Sequence, residues 1–243
     1  MRSKMKKMFM MIGAAAVAVS ANADTYTDAN NITWTYVANS DGENTVTLGN
    51  GSACISTSAS VDAAEIPWTF EKDGVAYTVT QIGAGAFADC SGLTGTLSIP
   101  PAVTKFLGAN TFKQTSITGV SSFGTGITSV GGQASFINCS SLSGTVVIDD
   151  GFAANFGNYA FAGCTAMTGI IVGNGTPRTG RFLANGDSSL VGAWFKGRTT
   201  VSSGTQDNTE VGTYSTFKGC TALKVVLLGK NTEAYESGIF LNG

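Results

Sequence analysis

The sequence predicts a repeat solenoid, in which short coils stack on a parallel β-sheet behind a small β-rich N-terminal cap. Two coupled observations carry that prediction. A Phe followed three residues later by Cys, and three further on by Leu or Met, recurs at intervals of about 25 residues. Each occurrence is followed by a short apolar run with strand-like alternation. Similarity at a fixed period marks stacked units, none of which can bury its apolar face alone.

The chain begins with a segment of another kind. Arg2, Lys4, Lys6 and Lys7 precede an apolar run from Met8 to Val19, and the small triplet Ala21, Asn22, Ala23 follows. This order of charge, apolar run and small residues is that of a secretory signal peptide, expected at residues 1–23 with cleavage before Asp24. The apolar run is shorter than the ~20 residues that span a bilayer, and no later segment is apolar enough to do so. No transmembrane segment is therefore expected after signal removal.

Residues 24–75 lack the Phe–Cys motif. ITWTYVAN at 32–39, NTVTLGN at 44–50 and EIPWTFEKDGVAYTV at 65–79 alternate apolar and polar residues and are separated by the turn-formers SDGEN and KDG. They predict a small antiparallel cap over the open end of the solenoid. Trp34 and Trp68 are expected in its core, the competing reading being a sugar-stacking platform.

The solenoid is expected over residues 76–243. AFADCSGL at 86–93, SFINCSSL at 135–142, AFAGCTAM at 160–167 and TFKGCTAL at 216–223 align, and TFKQTSI at 111–117 is a fifth copy with Thr115 in the Cys place. The predicted repeat core is Phe87, Cys90, Leu93, Phe112, Phe136, Cys139, Leu142, Phe161, Cys164, Met167, Phe217, Cys220 and Leu223. The runs TGTLSIP, SGTVVI, TGIIV and KVVLLG then turn Leu97 with Ile99, Val146 with Ile148, Ile170 with Val172 and Val226 with Leu228 to one face of successive strands.

The segment VTQIGAGAFADCSGLTGTLSIP at 79–100 resembles the repeat of BspA-like leucine-rich-repeat proteins, a bacterial surface-antigen type, and the resemblance extends from about residue 75 to the end. It implies a right-handed, leucine-rich-repeat-like coil and roles in adhesion or host interaction. The stretch between Phe161 and Phe217 departs from the pattern, with Phe182 and Phe195 as possible anchors and Arg198 in a Cys place. One or two degenerate coils broken by an irregular insertion at about 173–210 are expected there. At the far end Phe240 opens a further unit, so the sequence reads as incomplete or as continuing by association.

Composition narrows the chemistry. The formal charge is −2, and removing four leader cations leaves 10 basic and 16 acidic residues, a net −6. A weakly acidic chain without basic runs argues against nucleic acid as a partner. There is no histidine, which removes Ser-His-Asp and Cys-His pairs and all His-containing metal sites. The cysteines at the repeated position read as a reduced structural ladder; Cys139 and Cys164, on adjacent coils, are the pair to suspect if any bridge forms, and Cys54 is left over. The scattered carboxylates, including the adjacent Asp149 and Asp150, form no organised acid–base pair. No catalytic, cofactor-binding or metal-binding residues are assigned, and the chain is not expected to be an enzyme or to need a cofactor.

What remains is the strand face opposite the core. It would present Thr96 and Ser98, then Thr145 and Val147, Gly169 and Ile171, and Val225 and Leu227, passing from hydroxyl to aliphatic along the stack. Either this is an exposed interaction face or the sheet is covered on both sides; the sequence leaves both open. The expected function is a secreted or cell-surface binding or adhesion protein whose solenoid face, or 173–210 loop, meets an extracellular protein or glycan. The alternative is a structural module of a larger envelope protein without a dedicated ligand.

Overall fold

The computed structural model describes residues 23–49, 51–176, 178–197, 200–201 and 216–230. Residues 1–22 of the leader, most of the segment 198–215, and Phe240 therefore lie outside the described residues.

Each coil contributes a short strand, a turn and a second strand. The short strands β3 (Thr45–Leu48), β6 (Val75–Ile82), β9 (Lys105–Phe106) and β11 (Ser129–Val130) pair in parallel, and β14 (Arg178–Thr179) pairs with β16 (Thr200–Val201) in the same sense. The second strands form two parallel groups. β8 (Thr96–Ser98) pairs with β10 (Gly119–Ser122), while β12 (Gly144–Ile148), β13 (Met167–Val172), β15 (Gly192–Phe195) and β17 (Val225–Leu228) make a four-stranded sheet.

The Phe–Cys motif is the turn between the two strands. The residue just before the Cys place has a left-handed backbone in every copy: Asp89, Gln114 and Asn138, then Gly163, Gly186 and Gly219. Glycine, Asn and Asp are the residues that reach this region most cheaply, which accounts for the recurrent Asp, Asn or Gly before Cys. The turn aims the Phe inward. Phe87, Phe112, Phe136 and Phe161 are fully buried and stack face to face, with ring centroids 4.9, 5.0 and 5.3 Å apart and interplanar angles of 4°, 8° and 10°. Those spacings are close to the roughly 4.8 Å between hydrogen-bonded strands. Phe123 closes the stack edge-on against Phe136 and Phe161.

The cysteines run beside the rings. All five are free and buried. The Cys139 thiol donates to the Phe112 carbonyl at 3.0 Å, Cys164 to Phe136 at 3.2 Å and Cys220 to Ala184 at 2.9 Å, so each thiol ties its coil to the preceding one. Thr115, in the Cys place of its coil, donates instead to the carbonyl of its own Phe112 at 3.1 Å. Of the expected core residues, Leu223 alone is only half-buried.

The structure revises two boundaries. First, the irregular region is narrower than 173–210. Phe112 N donates to Ser135 O, Phe136 N to Ala160 O and Phe161 N to Leu183 O, and Ala184 N continues the series by donating to Thr216 O. Ala184 thus occupies the Phe place, Asp187 the Cys place and Leu190 the Leu place, and residues 178–195 form a coil. Neither Phe182 nor Phe195 is the anchor: Phe182 sits two residues before it, stacked on Tyr159 at 4.5 Å, and Phe195 fills the inward end of β15. Arg198, the residue placed opposite Cys in that alignment, lies outside the described residues.

Second, coiling begins before residue 75. β3 pairs in parallel with β6, with Leu48 opposite Ile82, and Cys54 N donates to Ala86 O as each Phe does in its own coil. β4 (Val61–Asp62) then pairs in parallel with β7 (Leu93–Thr94), Val61 opposite Leu93. Cys54, left over in the sequence, therefore stands in a Phe place. The antiparallel cap is β1 (Asp24–Thr27) and β2 (Thr33–Ala38) laid on β3, with β5 (Thr69–Lys72) folded back on β6. Trp34 is buried with its Nε1 donating to Asp28 Oδ2 at 2.8 Å, and Trp68 is half-buried against the core.

Phe136 is sandwiched between two parallel rings and met edge-on by a third, so truncating it would leave a cavity in the middle of the column. Phe136→Ala is expected to cost about 3–5 kcal/mol in urea unfolding; a loss below about 1 kcal/mol would remove the ring stack from the account of stability.

Candidate interaction face

The hydrogen-bond register of the four-stranded sheet sets its outward side chains in two rows. Val147, Ile171, Trp194 and Leu227 are directly opposite one another across β12, β13, β15 and β17, and Thr145, Gly169, Gly192 and Val225 form the parallel row two residues earlier. The first row is an apolar ridge: Val147 is 38%, Trp194 42% and Leu227 52% exposed, and Ile171 is partly exposed. The second row is low in its middle. A Cβ on Gly169 would lie 2.6 Å from Thr145 Oγ1, and one on Gly192 would lie 3.2 Å from Val225 Cγ1, so the neighbouring side chains lean over the two glycines.

Thr96 and Ser98 are also outward and exposed, but they belong to a different patch. The ladder is interrupted between β10 and β12, where Ser143 N donates to Thr118 O, and the Asp149 carboxylate accepts from Phe123 N at 3.1 Å and Ser122 Oγ at 3.4 Å. On the β8–β10 side the outward residues are Thr96, Ser98, Gly119 and Ser121; beyond the break they are aliphatic or aromatic apart from Thr145 and Gly. The expected interaction residues are thus divided, with Thr96 and Ser98 apart from Thr145, Val147, Ile171, Val225 and Leu227.

Trp194 and the exposed Val191 just before β15 were missed in the sequence, because GAWF fell inside the supposed irregular insertion. Among the described residues, seven large apolar side chains are exposed: Val147, Trp194, Val225 and Leu227 are on this outward face, Val191 just precedes β15, Leu228 is on the opposite side of β17, where the sequence had placed it inside, and Leu107 lies elsewhere. Concentration of exposed apolar area on one face is the physical mark of a contact surface. Lysines border it. Lys196 Nζ sits 5.4 Å above the Trp194 ring and 3.9 Å from Asp150 Oδ1, while exposed Lys224 and Lys230 flank β17.

Asp150 and Asp149 do not act as a pair. Asp150 Oδ1 accepts from Asn174 N at 2.8 Å, while Asp149 closes the ladder break. Cys54, Cys90 and Cys220 offer no reactive centre: burial pushes the Cys54 thiol well above its ordinary range, Cys90 up to about 11 and Cys220 up to about 12, with the neighbouring Asp187 adding to the rise at Cys220. All three are protonated and shielded at neutral pH, whereas thiol reactivity requires an accessible thiolate.

Asp187 is the one carboxyl inside the ladder among the described residues. It is fully buried between Cys164 and Cys220, and neither carboxyl oxygen has a hydrogen-bond partner among the described residues. Burial pushes its pKa up to about 8; the backbone N–H groups of Cys164 and Gly163 oppose that rise without reaching hydrogen-bond geometry. The carboxyl is therefore mostly protonated at pH 7.

Residues 70–183 match the BspA type leucine rich repeat region in six copies. No curated protein matches the chain. Among solved structures, a leucine rich cell surface protein of Faecalibacterium prausnitzii is similar at 18% identity and TM-score 0.49 over 87% of this chain and 56% of that one, so this chain spans just over half its length. A leucine rich repeat protein of T. pallidum is similar at 18% identity and TM-score 0.44, covering 80% of this chain and 78% of that one. One from Bacteroides ovatus is similar at 17% identity and TM-score 0.24, covering 81% and 70%.

The position of Asp187 gives a pH dependence with a definite sign. An unfolded Asp ionises near 3.9 and the folded one at about 8, so stability is highest below pH ~4 and falls as pH rises through about 8, by on the order of 5 kcal/mol in all. Asp187→Asn should flatten this dependence in urea unfolding followed at pH 5, 7 and 9. An unchanged pH profile in that variant would place the titration elsewhere.

Proposed function

The repeat region of this chain, residues 70–183, belongs to the BspA type leucine rich repeat family, and from that premise we propose that the protein is an exported binding protein, presented at or beyond the cell surface, that docks an extracellular protein on the open face of β12, β13, β15 and β17. The observation that carries the reading is the in-register ridge Val147, Ile171, Trp194, Leu227, which no described element covers. A stacked array is well suited to this task, because its interior fixes the strand rise while outward positions vary without disturbing it.

A protein surface fits the ridge better than a glycan does. Sugar sites combine an open aromatic face with convergent hydrogen-bonding groups; here Lys196 lies over the Trp194 ring, and the side chains opposite Trp194 on both neighbouring strands are aliphatic. Trp at the centre of a patch is instead among the commonest anchors of protein–protein contacts. Export rests on the residues 1–23, whose basic start, apolar run and small-residue end are those of a secretory leader.

Two measurements test the proposal. Residues 24–243, screened against immobilised extracellular-matrix proteins and a glycan array, should retain protein ligands, and Trp194→Ser with Leu227→Ser should weaken that binding at least tenfold while leaving the circular dichroism spectrum unchanged. Binding carried only by glycans, or unaffected by the double variant, would overturn it. Separately, the full-length chain should be recovered outside the cytoplasm without residues 1–23, and deletion of those residues should retain it inside.

A further inference from the structure

Charge is distributed very unevenly along the stack. Residues 24–150 contain 11 acidic and 3 basic side chains, whereas residues 151–243 contain 5 acidic and 7 basic ones. Asp207, Glu210, Glu233 and Glu236 lie outside the described residues; the described charges of the second half are Arg178, Arg181, Lys196, Lys218, Lys224, Lys230 and the buried Asp187. The interior Asp187 therefore subtracts little from the positive field of the coils that carry the ridge. Lys224 opens the strand bearing Val225 and Leu227, Lys230 follows its end, and Lys196 lies over Trp194, so cations stand at both ends of the apolar rows. Among the described residues, the opposing charges on this side of the sheet are Asp149, held by the ladder break, and Asp150, 3.9 Å from Lys196.

We propose that the occupant of this face is an acidic protein segment bearing apolar side chains, which lays those side chains along the Trp194 ridge and sets its carboxylates against Lys196, Lys224 and Lys230. The inference rests on reading the face as a docking surface and adds the partner's chemical class. The ridge requires apolar side chains on the partner, so a bare polyanion would leave it uncovered. The lysine border selects sign: complementary charge speeds encounter and disfavours cationic competitors. The two glycines, Gly169 and Gly192, lower the floor beside the ridge and give the segment's backbone a place to lie.

The test uses residues 24–243 and three fluorescein-labelled peptides of 16 residues: one combining Asp and Glu with Leu and Phe, one with Lys in place of every acid, and one with Ser in place of every apolar residue. In fluorescence polarisation at 50 mM NaCl the acidic–apolar peptide should bind at least tenfold more tightly than either control and lose affinity at 300 mM NaCl. Lys196→Glu with Lys224→Glu, both on solvent-facing side chains, should weaken it at least tenfold and strengthen the Lys peptide. Equal binding of the acidic–apolar and acidic–Ser peptides overturns the proposal in favour of a simple anion site. Equal binding of both apolar peptides, abolished by Trp194→Ser, overturns the acidic preference while leaving the docking face standing. Binding untouched by Trp194→Ser, or no binding by any peptide, overturns it as well. A concentration-dependent dimer in sedimentation, dissociated by the double charge reversal, would assign the face to a second copy of this chain.

Discussion

Ring spacing and backbone spacing must agree. Parallel strands hydrogen-bond at roughly 4.8 Å, and a column of aromatic rings can be stacked at that rise with little tilt, as Phe87, Phe112, Phe136 and Phe161 are at 4.9–5.3 Å. A coil with a differently sized interior would force either the ladder or the ring column out of step. The thiol ladder reinforces the same rise from the side, because Cys139, Cys164 and Cys220 each donate to a carbonyl of the preceding coil. These bonds are individually weak, but they occupy carbonyls that would otherwise be buried with less satisfaction. Every other regularity in the structure, including the outward rows, inherits its spacing from this agreement.

Because the interior holds the rise, outward positions are free to differ from coil to coil. The hydroxyl patch of β8 and β10 and the apolar patch of β12 to β17 share one architecture and differ only in the residues displayed. The boundary between them coincides with the break where Asp149 takes over from backbone pairing. Repeat proteins are close to one-dimensional in their energetics, so such a break costs only local pairing.

Where the interior kept its consensus residues, the sequence was readable. Phe, Cys and Leu at fixed spacing located five coils, and the alternation after each placed Leu97, Val146 and Ile170 inside and Thr96, Val147 and Ile171 outside. Where the interior substituted, it was not. LANGDSSL at 183–190 keeps the six-residue distance from anchor to Leu190, but Ala184 replaces the ring and Asp187 the thiol, so a search for Phe fastened on Phe182 and Phe195 instead. The same substitution hid Cys54, which fills a Phe place at the first coil and so pushed the expected boundary to residue 75. Spacing from Phe161 and Met167, carried forward without requiring Phe, would have found Ala184 and Leu190, and with them the strand bearing Trp194. The charge gradient was available in the sequence as well, but its bearing on the ridge needed the register that sets Lys196, Trp194 and Leu227 together.

The coil with the least regular interior is also the one that displays the most distinctive outward side chain. Ala184 ends the ring column, with Phe217 meeting Phe195 edge-on at 6.4 Å rather than stacking on a ring in the anchor place. Asp187 replaces a thiol donor by a buried carboxyl that must stay protonated. Both substitutions remove stabilisation from the coil that carries Trp194, and in a one-dimensional array the loss is felt mainly there and at its two neighbours. Packing alone gives no reason for such a coil: a Phe and a Cys at these two places would extend both ladders without a break. What sets this coil apart is its outer face, with an exposed Trp194 and a lysine border.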